Sequence, residues 1–519
     1  MADPKPVKII RPTTRRGELR KWRIRGLIAG GAAVVLAGAA FGVVALTRSD
    51  SSACGGSKSG LSLVAGECVG VTDGSTYHFS DDLAPIEALI ASENAAAINS
   101  GQPVVTIALL NPITASATSA LDAPQVRNQI EGAYTAQYRA NHLPPVIGDE
   151  RPLIRLVLAN EGSHEDQWPQ VVRQLEAMKS DPAPLVAVAG LGVSTIQTEL
   201  GAQELARQHI ATVSAIDSAD QLNFATIPGF IRITASNRQN VASLADYLRP
   251  LTTTAKASGI MVFDSNSDNA SSVDLFTKSL RDDLQKSFSK LLTAAPQSFV
   301  GVSDPAEATP DLFAAITSNI CAVKPDVVFY AGRSVDLTSF IDALETRVCA
   351  QTPIVIATAG SNLGKIREQE AAMKAKGITM VYATLADATG WLAGAPGTPQ
   401  HFADFATTFR KLGFPDADLS DGGAIATHDS VLVAARAVRL AAQAGSGRGL
   451  QPKAADVFNE VLNMNNQYVV PSASGDLSYY YRADDPAASS DPGGRPLPVI
   501  AIPAAPPWAS PTPSIYMTQ

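Results

Sequence analysis

Histidine and cysteine are scarce in this chain, six and four among 519 residues, and the settings that would make them reactive are missing. His78, His142, His164, His209, His401 and His428 all lie away from the carboxyl ends of predicted strands, and no G-x-S-x-G elbow occurs. The nucleophile, base and orienting acid of a hydrolase therefore have nowhere to assemble. No C-x-x-C pair or neighbouring histidine supports a zinc site. The run FDSNSDN (263–269) gathers acids and amides but lacks the glycine and glutamate offsets of a calcium loop, and reads instead as a loop lending polar groups to a cleft. The dense EGSHEDQW (161–168) lacks helical i, i+4 histidine spacing and reads as a solvated loop. No catalytic residue, metal or cofactor is expected.

Charge is scarce in places that matter. Charged residues make up 17% of the chain and apolar ones 45%, a globular composition. Residues 1–26 carry nine Lys/Arg against Asp3 and Glu18, a net of +7. The whole chain is −8, so the remainder is about −15. An acidic body argues against nucleic acid as a partner. Residues 27–46, LIAGGAAVVLAGAAFGVVAL, carry no charge. Twenty residues at ~1.5 Å rise match a hydrocarbon core of ~30 Å. Arg20, Lys21, Arg23 and Arg25 would hold the N-terminus in the cytoplasm and send the rest outside. The expectation is a single-pass cell-membrane protein with an extracytoplasmic main domain; a cleaved signal peptide is the alternative. Ser51, Ser52 and Ala53 before Cys54 do not form a lipobox.

An even number of cysteines in an exported segment suggests disulfides. Cys54 and Cys68 would close a short loop. Cys321 and Cys349 precede two predicted strands by similar intervals and would lie side by side if those strands are parallel neighbours. Four cysteines allow three pairings; the positions favour Cys54–Cys68 and Cys321–Cys349.

Between residues 103 and 387 short, β-branched apolar runs alternate with amphipathic stretches. VVTIALL (104–110), LIRLVLAN (153–160), LVAVAG (185–190) and IATVSA (210–215) form one series. GIMVFDS (259–265), FVGVS (299–303), DVVFYAG (326–332), PIVIATAG (353–360) and ITMVYATL (378–385) form a second. Apolar runs without alternation, each followed by a helix, predict parallel strands covered on both faces: an α/β fold of two doubly wound lobes. The reading divides the chain into a basic cytoplasmic tail (1–26), a transmembrane helix (27–46), a juxtamembrane linker and entry segment (47–102), lobe 1 (103–250), lobe 2 (251–390), elements completing both lobes (391–503) and a Pro-rich, unstructured tail (504–519). HDSVLVAARAVRLAAQ (428–443) has the spacing of a packing helix.

Ligands of open parallel sheets sit at the carboxyl ends of the strands. Here those ends are small and polar: Asn111, 190–194, Ser214, Asp264, Gly332–Arg333 and 360–362. AGLGVST (189–195) is an incomplete dinucleotide motif. Ser194 or Thr195 at its helix start is either a plain cap or an anion contact.

The order of VTIALL, LVAVAGLGVST, ATVSAIDSADQL, IPGFIRITASNRQNVASLADYL, DVVFYAGRSVDL, HDSVLVAARAV and SGDLSYY resembles type 1 periplasmic binding proteins, specifically the leucine/isoleucine/valine-binding branch serving ABC importers. The resemblance spans roughly residues 103–500. It implies a two-lobed, hinged, non-catalytic binder that takes a small-molecule ligand and meets an ABC permease. It also implies ligand contacts from Ser194 and from Ser214 or Ser218 on one lobe and from Arg333 and Ser334 on the other; Thr195 at its helix start and Ser361 and Asn362 at their strand end complete the expected set. Where amino-acid binders of the family place an acid for the α-ammonium, this chain has Ala359, Gly360, Ser361 and Asn362. Together with Arg333, that points to a polar or anionic ligand, amino-acid-like or carboxylate. A ligand-sensing receptor or scaffold with the same fold, without transport, is the alternative.

Overall fold

The computed structural model describes residues 53–510 and 515–518, except Ser57, Ala117, 144–150, 254–256, 269–272, 302–312, 361–362, 445–450 and 465–467. The expected transmembrane helix, 27–46, and the basic tail lie outside the described residues. So do Ser361 and Asn362. No helix among the described residues is long and apolar enough to cross a membrane.

Two sheets organise the molecule. The first contains β1 (Leu61–Val64), β2 (Glu67–Thr72), β3 (Val104–Asn111), β4 (Leu153–Asn160), β5 (Leu185–Gly190), β6 (Ala211–Ser214) and β7 (Phe230–Arg232), in the order β1-β2-β4-β3-β5-β6-β7. The second contains β8 (Gly259–Asp264), β9 (Gln297–Phe299), β10 (Val327–Ala331), β11 (Ile354–Gly360) and β12 (Ile378–Thr384). They run in the order β12-β11-β10-β8-β9. Counted along the chain, the parallel part of each sheet has the same order, 2-1-3-4-5. Each sheet therefore reverses its winding once, between β3 and β5 and between β8 and β10, and opens a crevice there. All eight residues of β3, six of β5 and five of β10 are buried, as non-alternating apolar runs require. Apolar clusters cover both faces of each sheet.

Three expectations are corrected. Residues 61–99 are no linker: β1 and β2 form a hairpin that joins the first sheet antiparallel to β4. The helix Ala84–Asn99 docks beside them, where Asn94 both donates to Leu156 O (2.7 Å) and accepts from Leu156 N (2.9 Å). Nor does lobe 1 extend to residue 250. The helix Asn237–Tyr247 packs in the second lobe against the helix Leu275–Ser287, where Asn237 Nδ2 donates to Phe276 O (3.0 Å) and Ser279 Oγ (2.6 Å). The crossing thus falls just after β7. The Pro-rich tail is also docked in its described parts. Trp508 meets Tyr247 edge-on at 6.2 Å, Ile515 approaches Gly397, and Tyr516–Met517 pair with Pro496–Leu497. Apolar anchors between the prolines supply what composition alone hid.

After β12 the chain returns to lobe 1. The helix Gly423–Ala444, buried over most of its length, packs on the helix Ala123–His142 and on β5 and β6. Its His428 Nδ1 meets Asp429 Oδ1 at 2.7 Å, and His428 Nε2 meets Arg139 at 2.9 Å. Asp429 also accepts from Ala473 N and Ser474 N, each at 2.8 Å, fixing the hairpin β13 (Val470–Ser472) and β14 (Gly475–Leu477). The segment Val499–Ile502 then crosses back and adds an antiparallel edge to β12. The lobes are therefore joined three times. Arg495, fully buried on the third crossing, donates to Ile233 O on the first and to Leu385 O on the second.

Both expected disulfides are present. Cys54–Cys68 has its Cα atoms 5.6 Å apart, and Cys321–Cys349, whose following strands β10 and β11 are parallel neighbours, 5.4 Å.

Candidate ligand cleft

The carboxyl ends of both sheets face one another, and a cavity of about 50 Å³ lies between them. Lobe 1 contributes Leu121, Gln125, Val193, Ser194, Ile216 and Ser218. Lobe 2 contributes Phe276, Gly332, Arg333, Ser334, Gly360 and Tyr382. A second chamber of about 260 Å³ adjoins it, sharing Ala120, Val193 and Arg333 with the first and lined also by Pro112, His164, Glu165, Thr195, Val273 and Asp274.

The lobe 1 loops reach this place through tight backbone turns. Gly190, Leu191 and Gly192 all have positive φ (90°, 68° and 64°), which folds the chain back before the helix Ile196–Arg207 begins. Thr195 is the N-cap of that helix, its side chain accepting from Thr198 N at 3.2 Å. Its hydroxyl donates to Glu165 Oε2 at 2.6 Å. The plain-cap reading of Thr195 holds, and the anion-contact reading is corrected: its hydroxyl already has a carboxylate.

Ser194 and Ser214 are likewise committed. Ser194 Oγ donates to Asp217 Oδ1 (3.1 Å), and Ser214 Oγ donates to Asp217 Oδ2 (2.8 Å). Asp217 is fully buried. Burial, then the charge of Glu165, pushes its carboxyl up to about 7 against the two serine bonds. Ser214 is fully buried and does not line the cavity, so its expected ligand role is corrected. Ser194 lines the cavity but spends its proton on Asp217. Ser218 and Ser334 do reach the cavity, with no side-chain partner among the described residues.

Arg333 is buried, as a clamp would be, but it is not a free cation. Its Nε donates to Asp274 Oδ2 at 2.5 Å, its Nη2 reaches Ser194 O at 3.3 Å, and its guanidinium lies 5.6 Å from the Phe276 ring centre. Burial opposes its charge, but Asp274, with Glu165 and Asp264 behind it, holds the guanidinium pKa above its ordinary value. The inference from Arg333 to an anionic ligand therefore has no free cation to rest on: its counter-charge comes from its own chain. Asp274 caps the helix Leu275–Ser287 and forms a backbone bridge with Thr195, while Phe276 N donates to Ser194 O at 3.1 Å. The lobes thus touch directly through their main chains beside the cavity.

The two polar runs singled out in the sequence are structural. Glu161, Ser163 and Glu165 are buried, so EGSHEDQW is not a solvated loop. Glu165 accepts from Val193 N (2.7 Å) and Thr198 Oγ1 (2.9 Å) as well as Thr195 and braces the cleft loop. In FDSNSDN, Asp264 accepts from Asn266 N and Gly301 N, and Asp268 pairs with Arg281. Neither aspartate lines the cavity. Among the described residues no group of acids, histidines or cysteines is arranged to hold a metal.

Sequence reasoning missed Asp217, Glu165, Asp274 and Tyr382. Asp274 had a signal, an aspartate directly before a helical run. Tyr382 had none: within an apolar strand nothing marks which aromatic faces a cavity.

No family model matches the chain, and no curated protein matches its sequence. Solved structures do match its fold, that of two-lobed ABC-transporter substrate-binding proteins. A branched-chain amino acid ABC transporter protein from Thermus thermophilus with bound valine is 14% identical, with a TM-score of 0.55 over 80% of this chain and 97% of that one. The branched-chain amino acid transporter substrate-binding protein of Streptococcus pneumoniae, in complex with isoleucine, is 14% identical, with a TM-score of 0.52 over 77% of this chain and 99% of that one. A solute-binding protein of an ABC transporter from Rhodopseudomonas palustris, in complex with 3,4-dihydroxybenzoic acid, is 13% identical, with a TM-score of 0.51 over 77% and 93%. At these identities the likeness concerns the fold.

Proposed function

We propose that this chain is an extracytoplasmic solute-binding protein, tethered to the cell membrane by residues 27–46, that closes its two lobes over a small polar solute and delivers it to an ABC permease. The observation that carries the reading is the cavity between the facing carboxyl ends of two 2-1-3-4-5 sheets, lined by side chains of both lobes. Such a cavity is completed only when the lobes meet, so a ligand inside it favours the closed state. The absence of a nucleophile–base set in the sequence supports binding without turnover. The basic tail and uncharged twenty-residue run support the tether.

A thermal-shift screen of the full chain against amino acids, carboxylates, amides and polyols tests the reading, because a ligand of the folded state raises its melting temperature by mass action. A dose-dependent rise with one chemical class is the expected result. No shift with any class, at concentrations up to millimolar, would sink it. Transport is tested separately: deleting the chain should abolish uptake of the solute so identified.

A further inference from the structure

The inner cavity has walls whose chemistry can be read directly. Its one charged lining side chain among the described residues is Arg333, and that charge is met by Asp274 at 2.5 Å. No acid lines it among the described residues, so a cation would find no counter-charge there and would face the guanidinium. An anion would find a guanidinium already paired and set among three acids, Asp274, Glu165 and Asp264. Taking either ion out of water without a free counter-charge carries a penalty of several kcal/mol.

What the cavity does offer is neutral. Tyr382, 1% exposed and two residues before the end of β12, has its hydroxyl beside Gly360, where a Cβ would come within 2.7 Å of it. Tyr382 lines the cavity, and its hydroxyl has no hydrogen-bond partner among the described residues. A phenol this deep stays protonated, because burial pushes its pKa up, and it can both donate and accept. Ser218 Oγ on the opposite lobe and Ser334 Oγ beside Arg333 are two more hydroxyls without a partner among the described residues. Hydroxyls that meet the cavity without a partner of their own chain can trade water for the donors and acceptors of a solute.

Resting on the solute-binding reading, we infer that the inner cavity takes a small uncharged, hydrogen-bonding solute, amide- or polyol-like, recognised by Tyr382 from lobe 2 and Ser218 from lobe 1. A cavity of about 50 Å³ suits only a compact molecule. Apolar walls from Val193, Ile216 and Leu337 would hold its carbon skeleton.

The test compares isosteric pairs by calorimetry on the detergent-solubilised full chain: propionamide with propionate and lactamide with lactate, with glycerol as a hydroxyl-only probe. The uncharged members should bind at least tenfold tighter than their acids. Tyr382→Phe should weaken them roughly 2- to 10-fold, the range of one hydrogen bond, without lowering the melting temperature. Should Tyr382→Phe fail to fold, Ser218→Ala carries the same comparison. Equal or tighter binding of the acids overturns the inference while leaving solute binding intact. Unchanged affinity in Tyr382→Phe, or in Ser218→Ala when that variant carries the comparison, overturns it as well. No binding by any probe in the pairs or the wider screen removes both readings.

Discussion

An arginine at a strand end has two outlets for its charge, a ligand or a carboxylate of its own chain, and Arg333 takes the second. Its partner Asp274 lies 59 residues away in sequence, in a segment whose only local signal is that of a helix cap. This is why Arg333 was legible as a cleft residue while its role was not: position follows from the strand pattern, but charge balance is a tertiary fact. The pair makes a quantitative prediction. Arg333→Ala leaves Asp274 buried without compensation and should destabilise the fold by about 3–5 kcal/mol, whereas Arg333→Ala with Asp274→Ala should recover much of the loss. Denaturant unfolding of the two variants distinguishes the cases; equal losses would contradict the pairing. The same distinction applies to Ser194 and Ser214. Hydroxyls at strand ends could be predicted to matter, but not that Asp217 would absorb both.

For strands and helices the sequence was far more informative, because burial on both faces leaves a mark in composition. The runs over β3, β5 and β10 could be read almost residue by residue, and so could the packing helix Gly423–Ala444. Less legible were elements whose stability is borrowed. The short β1 is held by the Cys54–Cys68 bridge and by pairing with β2, and the tail strand Tyr516–Met517 by two residues of partner strand. The Cys321–Cys349 bridge closes a 28-residue separation at the amino-terminal edge of β10 and β11. Replacing both cysteines with serine should cost roughly 2–4 kcal/mol. Lobe 2 should become the first part to exchange its amides, which hydrogen-exchange mass spectrometry would show; uniform loss of protection over both lobes would argue against a local staple.

Acidity acts on the whole molecule. Burial holds ten carboxyls above their ordinary values, four of them far enough to titrate between about 6 and 8. Asp217 lies near 7, and Asp421 near 6 through burial. Glu131 lies near 8 through burial and the charge of Asp418, and Asp283 near 8 through burial and the Asp220 carboxyl beside it. Each binds its proton more tightly folded than unfolded. Its contribution is complete below the unfolded value near 4 and is lost as pH rises through 6 to 8. His428, pushed down to about 4 by burial, works the other way below about 6.5, but it is one group against four. The melting temperature should therefore be higher at pH 5.5 than at pH 8, and Asp217→Asn should reduce the difference. A melting temperature that rises from pH 5.5 to 8 would contradict this assignment.

The three crossings between the lobes share one further consequence. Because the single guanidinium of Arg495 grips main-chain oxygens on the other two crossings, the three strands are gathered at a common point and cannot slide past one another independently. For the lobe closure of the proposed function, such a point would resist sliding displacements and leave rotation about itself as the motion available, like a door on one pin. Replacing Arg495 with alanine would release that pin, and X-ray scattering should then register a broader range of inter-lobe angles in solution.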